Sequence, residues 1–244
     1  MSLDRALAIA GRIVSQMRHD PRTLGMMFFV PLFLMTLIYL SLPDQPGLFD
    51  YVAPAILGGM VLFLVFIITG VSFLRERLQG TLERLMASPV TRADLVMGYV
   101  LGFFLFAALQ SAIVLLFTVW VLGVEYRGSL GEVLVFQLMV ALGSLNLGIL
   151  ASTWARNEFQ VVQFMPLFIL PQFFLGGLLW PVEQMPWYLQ DFSVVMPLRY
   201  AIEGLRGIML EGKGFSGVLP QLGFLGGFAL VMLFLAGLSL RRTS

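Results

Sequence analysis

Six long runs without a charged side chain decide what this chain can fold into. They cover residues 23–43, 51–74, 95–124, 133–155, 159–182 and 214–240. A helix needs about 20 residues, at a rise of 1.5 Å each, to cross the hydrocarbon core of a membrane. Lipid offers no partners to backbone amides and carbonyls, so a spanning segment must satisfy them internally, as a helix does. With 59% hydrophobic and 12% charged residues, a water-soluble globule is excluded.

These runs predict an all-α integral membrane protein with six transmembrane helices, organised as one domain over residues 1–244. Cytoplasmic segments of membrane proteins carry an excess of lysine and arginine. If the N-terminus is inside, the inner segments hold Arg5, Arg12, Arg18, Arg22, Arg75, Arg77, Arg84, Arg92, Arg156, Arg241 and Arg242. The outer segments hold Arg127, Arg199, Arg206 and Lys213. The bias predicts cytoplasmic N- and C-termini and a multi-pass protein of the cell's inner or plasma membrane.

The N-terminal segment, residues 1–22, has the pattern of an amphipathic helix. Its apolar stripe recurs at helical spacing, with the arginines off the stripe. The stripe consists of Leu3, Ala6, Leu7, Ala10, Val14 and Met17. We expect a helix in the cytoplasmic membrane interface, with a solvated lead-in as the alternative. Because the segment before the first apolar run is amphipathic and contains arginines, and is not the short apolar core of a signal peptide, no cleavable signal peptide is expected.

A charged island, residues 74–94, separates the second and third runs. Within it, Leu78, Leu82, Leu85 and Met86 share one predicted helix face. We expect a short helix over residues 80–87, stopped by Ser88 and Pro89. Thr91 and Asp94 form a capping-box pattern that starts the next span. The residues alone leave two interpretations open, a docking helix for a partner in water or a solvated inner loop.

The outer segment, residues 181–213, is the longest stretch between spans. Pro186 and Pro197 each predict the start of a short helix. In the second helix Arg199, Glu203 and Arg206 share one face, opposite an apolar face. We expect two amphipathic helices that dip partway into the outer leaflet as a re-entrant pair. The fifth run, with Pro166, Pro171, Gly176 and Gly177 near it, is expected to be kinked or broken in its outer half.

Uncharged polar side chains in the spans have two possible roles. Gln163 and Gln172, with the neighbouring Phe173, could line a substrate path, or the amides could form interhelical hydrogen bonds. Two glycine pairs four residues apart, Gly98 with Gly102 and Gly223 with Gly227, predict close helix packing. No ionisable residue lies in the middle of a run, which weighs against a proton- or ion-coupled pump.

Several kinds of chemistry are not expected. The chain has no cysteine and a single histidine, His19, near its N-terminus. Thiolate chemistry, a metal site and Ser–His catalysis therefore lack their residues. A net charge of +1 gives no reason to expect a nucleic-acid partner. A channel or secondary carrier would show charged spans or an inverted repeat, and neither is visible.

The charged island resembles the first cytoplasmic loop of ATP-binding-cassette permeases of the type-2 export family. The matching residues are Arg75, Glu76, Arg77, Gly80, Thr81, Leu82, Glu83, Arg84, Leu85, Ser88, Pro89 and Val90. A later stretch is also similar to that family, through Gly176, Gly177, Trp180, Pro181, Met185, Pro186, Trp187, Pro197, Leu198, Tyr200 and Arg206. The resemblance covers the whole chain, and its length and short first outer loop resemble the daunorubicin-resistance and nodulation permease branch.

The resemblance implies that this chain is a non-catalytic permease and not an enzyme, that it dimerises, and that the dimer docks two copies of a separate ATP-binding subunit.

 The copies are expected to be identical, a homodimer with alternating access to a central path. Glu76 and Glu83, with Arg77 and Arg84, would be the contacts that carry nucleotide-driven closure into the membrane. The sequence holds no G-x-x-x-x-G-K-S/T phosphate loop, so this chain is expected to bind no cofactor, with ATP and magnesium on the partner. The implied cargo is an amphipathic drug or lipid-like molecule, with polysaccharide or lipo-oligosaccharide export as the alternative.

Overall fold

The computed structural model describes residues 2–42, 47–87 and 89–239. Within these ranges all regular structure is helical. The helices are α1 (Leu3–Arg18), α2 (Pro21–Ser41), α3 (Leu48–Leu78), α4 (Thr81–Met86), α5 (Arg92–Trp120), α6 (Leu130–Trp154), α7 (Glu158–Leu175), α8 (Trp187–Ser193), α9 (Pro197–Met209) and α10 (Leu219–Ser239). Two 3₁₀ turns, Val182–Gln184 and Phe215–Val218, join them. Part of the predicted loop between the first two spans, residues 43–46, and Ser88 lie outside the described residues.

Six of these helices are long and apolar enough to cross a membrane, namely α2, α3, α5, α6, α7 and α10. The all-α fold with six spans is thus confirmed. Helix α3 has 31 residues, or about 46 Å at the usual rise. Because this length exceeds the hydrocarbon core, α3 carries its last turn, with Arg75 and Arg77, beyond the lipid.

The centre of the bundle is the contact between α3 and α6. A Cβ at Gly148 would lie 2.7 Å from the carbonyl oxygen of Phe66, and one at Gly70 would lie 3.3 Å from that of Gly148. The two backbones therefore touch where both helices have glycine. Helices α2, α7 and α10 lie at the periphery, with 17% of each apolar window buried, against 72% for α6.

Helix α1 packs along α5, and its buried face differs from the predicted stripe. Ile9 and Ile13 lie over Gly98 and Gly102, where a Cβ at Gly98 would be 2.6 Å from that of Ile9. The expected close packing at this glycine pair is confirmed. Leu3 and Leu7, predicted on the same face as Ala6, are 62% and 52% exposed. The glycine groove of α5 covers the isoleucine side of α1, so the two leucines remain exposed, and their position in the membrane interface stays a prediction.

The outer segment forms the two predicted helices. Helix α8 begins directly after Pro186, and α9 begins at Pro197. The apolar face of α9 is buried against the bundle, and Gly204 lies so close to Phe136 that a Cβ there would be 2.0 Å from the ring. Helix α7 continues through Pro166 and Pro171 to Leu175 and ends at Gly176. The expected break in the outer half of the fifth run, residues 159–182, is therefore found at Gly176 and Gly177, and the two prolines do not end the helix.

Candidate functional site

Helix α4 is a separate short helix because the chain turns at Gly80. This residue has a φ of +68°, which glycine adopts without strain. Leu82 is 4% exposed and packs into the core. Leu78, predicted on the same apolar face, is 56% exposed. That prediction was wrong because Leu78 belongs to α3, and the turn at Gly80 changes the direction of the chain before α4 begins.

The exposed side of the charged island carries polar groups and a proline. Arg84 is exposed and donates a hydrogen bond to the carbonyl oxygen of Gln79, 3.2 Å away. Pro89 is exposed at the end of the island, Thr81 and Leu85 are half-buried, and Glu83 lies between Leu82 and Arg84 in α4. The island therefore presents a short helix with a charged, accessible residue next to a buried apolar anchor.

Arg75 links α3 to α7 at the surface. Its Nε and Nη2 atoms donate to the two carboxylate oxygens of Glu158 at 2.7 and 3.0 Å. The two side chains are each 47% exposed. Exposed pairs of this kind contribute about 0–1 kcal/mol, so this link is a weak one.

Arg77 binds the C-terminal end of α6. Its Nη1 donates to the carbonyl oxygens of Ser152 and Thr153, both at 2.9 Å, and its Nη2 donates to that of Ala155 at 2.5 Å. The last carbonyls of a helix lack partners within the helix, and a cation there complements the helix dipole. The guanidinium of Arg77 is thus committed to partners within the chain.

Glu76 is also committed within the chain. It is 7% exposed, and its carboxylate accepts two hydrogen bonds from Arg12 in α1, at 3.1 and 2.9 Å. The hydroxyl of Tyr99 in α5 donates to the same carboxylate at 2.9 Å and accepts from Arg12 at 3.0 Å. Burial lowers the pKa of Arg12, but the hydrogen bonds and charge interactions with Glu76 and Tyr99 together outweigh burial, and the pKa is raised overall. We call Arg12, Glu76 and Tyr99 the buried triad.

The far end of the island is tied to the start of α1. Thr91 and Asp94 form the predicted capping box at the start of α5, which confirms that feature. Asp94 also accepts a hydrogen bond from the backbone amide of Ser2 at 2.6 Å. Arg5 donates to the carbonyl oxygen of Pro89. Helix α1 therefore contacts the chain both before and after α4.

The three residues suggested for a substrate path have different surroundings. Gln163 is exposed on α7. Gln172 is 4% exposed, and its carbonyl oxygen accepts from the backbone amide of Leu198 in the outer segment at 3.2 Å. Phe173 packs on α3, where a Cβ at Gly59 would be 3.2 Å from its ring. For Gln172 the observed contact is the interhelical hydrogen bond, the alternative to a path-lining role.

Polar residues stabilise the outer segment through an ion pair and hydrogen bonds. Arg199 pairs with Glu203 at 2.8 Å and donates to the hydroxyl of Ser193 at 2.6 Å. Tyr200 stacks on Phe224 with ring centres 3.7 Å apart. Gly177, with a φ of +80°, turns the chain after α7, Pro181 is half-buried and Pro186 is exposed.

Arg206 connects the outer segment to the start of α3. Its guanidinium lies 4.1 Å from the centre of the Tyr51 ring and donates to the carbonyl oxygen of Gly177 at 3.4 Å. A cation over an aromatic face is attracted by the ring quadrupole. Burial lowers the pKa of Arg206 from its ordinary value. Through these contacts Arg206 connects α9 to the start of α3 and to the turn after α7.

Sequence reasoning did not single out Arg12 or Tyr99. Tyr99 lies in an uncharged run, and Arg12 was counted only toward the orientation of the chain. The available signal was Glu76 itself, because a carboxylate at the end of a span needs a partner if it is buried. The identity of that partner depends on how α1 packs.

Comparison with known proteins adds a family and several relatives. A family model described as ABC-2 type transporter matches residues 5–210. The linearmycin resistance permease protein LnrN of Bacillus subtilis is 30% identical over 187 residues, which is 76% of this chain and 48% of that protein. The probable multidrug ABC transporter permease YbhS of Escherichia coli is 30% identical over 148 residues, 60% of this chain and 39% of that protein.

A third relative is the inner membrane transport permease YhhJ of Escherichia coli. It is 33% identical over 178 residues, which is 69% of this chain and 47% of that protein. The matched part of this chain thus spans less than half the length of each of these three relatives.

Proposed function

Because this chain belongs to the ABC-2 type transporter family, we propose that it is the membrane-spanning permease subunit of an ATP-driven exporter. The observation that carries this proposal is α4, a short helix with an exposed Arg84 and a buried Leu82 between two spans. A six-residue helix is unstable in water alone, so its persistence depends on packing. Such an element suits a partner that must be bound close to the spans.

The partner in this proposal is a separate ATP-binding subunit, two copies of which serve a homodimer of this chain. ATP and magnesium are held by that subunit, and this chain carries no catalytic step. Both termini and α4 face the cytoplasm, and α1 lies in the cytoplasmic membrane interface. The exposed Leu3 and Leu7 support that position for α1, since they would meet lipid.

The docking surface is assigned to α4 and its flanks, with Glu83 and Arg84 as charged contacts. Gly80, Thr81, Leu82, Leu85 and Pro89 shape and support this surface. Arg75, Glu76 and Arg77 act behind it, because their side chains are bonded to α7, to α1 and α5, and to α6 respectively. A displacement of α4 would therefore be transmitted through the last turn of α3 to four other helices, α1, α5, α6 and α7.

The cargo we propose is an amphipathic or hydrophobic drug or lipid-like molecule, moved outward by alternating access. The names of two relatives, one for linearmycin resistance and one for multidrug transport, support this class. The peripheral α2 and α7, with the exposed Gln163, offer surfaces where two copies could enclose a path. The outer segment, held by Arg199, Glu203 and Arg206, would cover its outer end as a re-entrant pair.

The test is a charge reversal on α4. Tagged chain is purified from membranes with its ATP-binding subunit, and bound subunit and Mg-ATP hydrolysis are measured. Glu83→Lys should keep the membrane level of the chain but reduce the bound ATPase by roughly tenfold or more, as for a disrupted interfacial charge pair. Glu125→Lys, on the predicted outer side and exposed, is the matched control and should retain both.

Two results would contradict this function. One is full recovery of the ATPase with Glu83→Lys, which would remove α4 from the interface. The other is a parent chain that binds no cassette-type ATPase and moves its cargo without ATP, as a channel or secondary carrier would.

A further inference from the structure

The buried triad joins three helices at one point. Arg12 lies in the middle of α1, Glu76 in the last turn of α3, and Tyr99 in the third turn of α5. Every pair among the three is hydrogen-bonded, at 2.9 to 3.1 Å. Tyr99 is fully buried, and its ring packs edge-on against Phe73 with centres 4.8 Å apart. The arrangement is specific because the guanidinium binds both carboxylate oxygens.

Helix α1 is also joined to the first span, α2, by a very short connection. Only His19 and Asp20 separate α1 from α2. Asp20 accepts hydrogen bonds from the backbone amide and hydroxyl of Thr23, at 3.1 and 2.6 Å, and so caps α2. These bonds lower the pKa of Asp20, which keeps the cap ionised. A displacement of α1 along its axis must therefore reach α2.

Helix α2 buries little of its surface against the rest of the chain. Of its apolar window 17% is buried, against 67% for α3, to which the triad connects it through α1. An element with few buried contacts moves at a lower free-energy cost than one in the core. Glu76 lies four residues before Gly80, the turn that leads into α4. The triad thus lies between α4 and the least buried span that it reaches.

We propose that Arg12, Glu76 and Tyr99 form a latch that transmits displacement of α4 through α1 to α2. The proposal rests on the proposed function, since it needs an ATP-driven displacement at α4. In it Glu76 is a positioning residue that acts through Arg12, and its burial is required for the role. Arg75 and Glu158 do not substitute for the latch, because that exposed pair connects α3 to α7 instead.

The experiment measures movement of α2 directly. The chain has no cysteine, so Phe33→Cys, at an exposed position of α2, gives a single labelling site. Its rate of reaction with a maleimide is compared with and without ATP and vanadate in the complex with the ATPase subunit. The parent should show a nucleotide-dependent change in rate. Arg12→Gln should shrink that change about fivefold or more, a usual size for coupling between sites, while ATP is still hydrolysed.

A matched control and a rescue separate the latch from a general loss of structure. Arg18→Gln makes the same substitution in the same helix, at an exposed residue with no side-chain partner in the part of the chain that the structure describes, and should behave as the parent. Arg12→Glu combined with Glu76→Arg should restore part of the change. Tyr99→Phe removes one hydroxyl from the triad and should give an intermediate loss, which tests the latch even if Arg12→Gln folds poorly.

The outcomes distinguish the two proposals. A nucleotide-dependent change that persists undiminished in both Arg12→Gln and Tyr99→Phe overturns the latch and leaves the proposed function standing. A parent complex without any bound ATPase or nucleotide effect overturns both. Loss in Arg12→Gln together with an equal loss in Arg18→Gln also overturns the latch, because the effect would then belong to α1 as a whole.

Discussion

At the scale of single residues, neighbouring side chains of the charged island have partners in different helices. Arg77 and Glu76 are neighbours in sequence, yet one binds the end of α6 and the other binds α1 and α5. Sequence reasoning identified both as residues of interest but placed them on a partner-facing surface. Their partners lie 23 to 78 residues away in the chain, so a local sequence pattern cannot identify them.

Arg77 gives the clearest stability prediction at this scale. Arg77→Ala should lower the free energy of unfolding by about 1–3 kcal/mol, because buried carbonyls at the end of α6 lose their donor. Arg84→Ala should change it by less than about 0.5 kcal/mol, as usual for an exposed side chain. Thermal unfolding of the two variants in the same detergent checks this. Equal stability of both variants would contradict the assigned role of Arg77.

At the scale of elements, the sequence predicted which helices form better than which faces they bury. Run length alone identified the six spans, and proline positions identified the starts of α8 and α9, since both signals are local. The sequence did not predict which side of α1 packs within the chain, because Leu3, Leu7, Ile9 and Ile13 are all apolar. Only the glycine groove of α5 determines which of them is covered. Leu78 is exposed for a different reason, because the turn at Gly80 interrupts the helical period between Leu78 and Leu82.

The contact between α1 and α5 can be tested at Gly98. A Cβ there would meet Ile9 at 2.6 Å and the carbonyl oxygen of Ala6 at 2.9 Å. Overpacking of about 1–3 kcal/mol corresponds to a roughly five- to 150-fold easier opening of the contact. Gly98→Ala should therefore speed maleimide labelling of Ala10→Cys, a buried site on α1.

Gly227→Ala is the control for this prediction. This glycine lies in α10, where a Cβ would meet nothing within 4 Å. Labelling of Ala10→Cys should then proceed at the parent rate. A labelling rate unaffected by Gly98→Ala would show that the close approach of α1 and α5 is not needed to hold α1 in place.

At the scale of the whole molecule, the orientation in the membrane follows from the distribution of lysine and arginine. In the proposed topology the charged island is inside and the outer segment outside. The substrate could not be deduced from the sequence, because the polar residues of the spans are uncharged. Gln172 in particular is committed to a contact with Leu198. In the proposed dimer, the surfaces of α2 and α7 that are exposed in one chain would meet the second copy.

The topology is measurable with two single cysteines. Gln79→Cys and Gln184→Cys are both at exposed positions, on the predicted inner and outer sides. A membrane-impermeant maleimide should label Gln184→Cys in intact cells, but Gln79→Cys only after the membrane is permeabilised. The reverse pattern would invert the orientation and remove α4 from the cytoplasm.

The most direct test of the central claim is a crosslink from α4 in the assembled complex. Arg84→Cys, coupled to a photoreactive maleimide, should form an adduct with the ATP-binding subunit upon illumination. Gln184→Cys with the same reagent should not. Absence of the adduct from Arg84→Cys in an intact complex, or equal adducts from both positions, would contradict docking through α4.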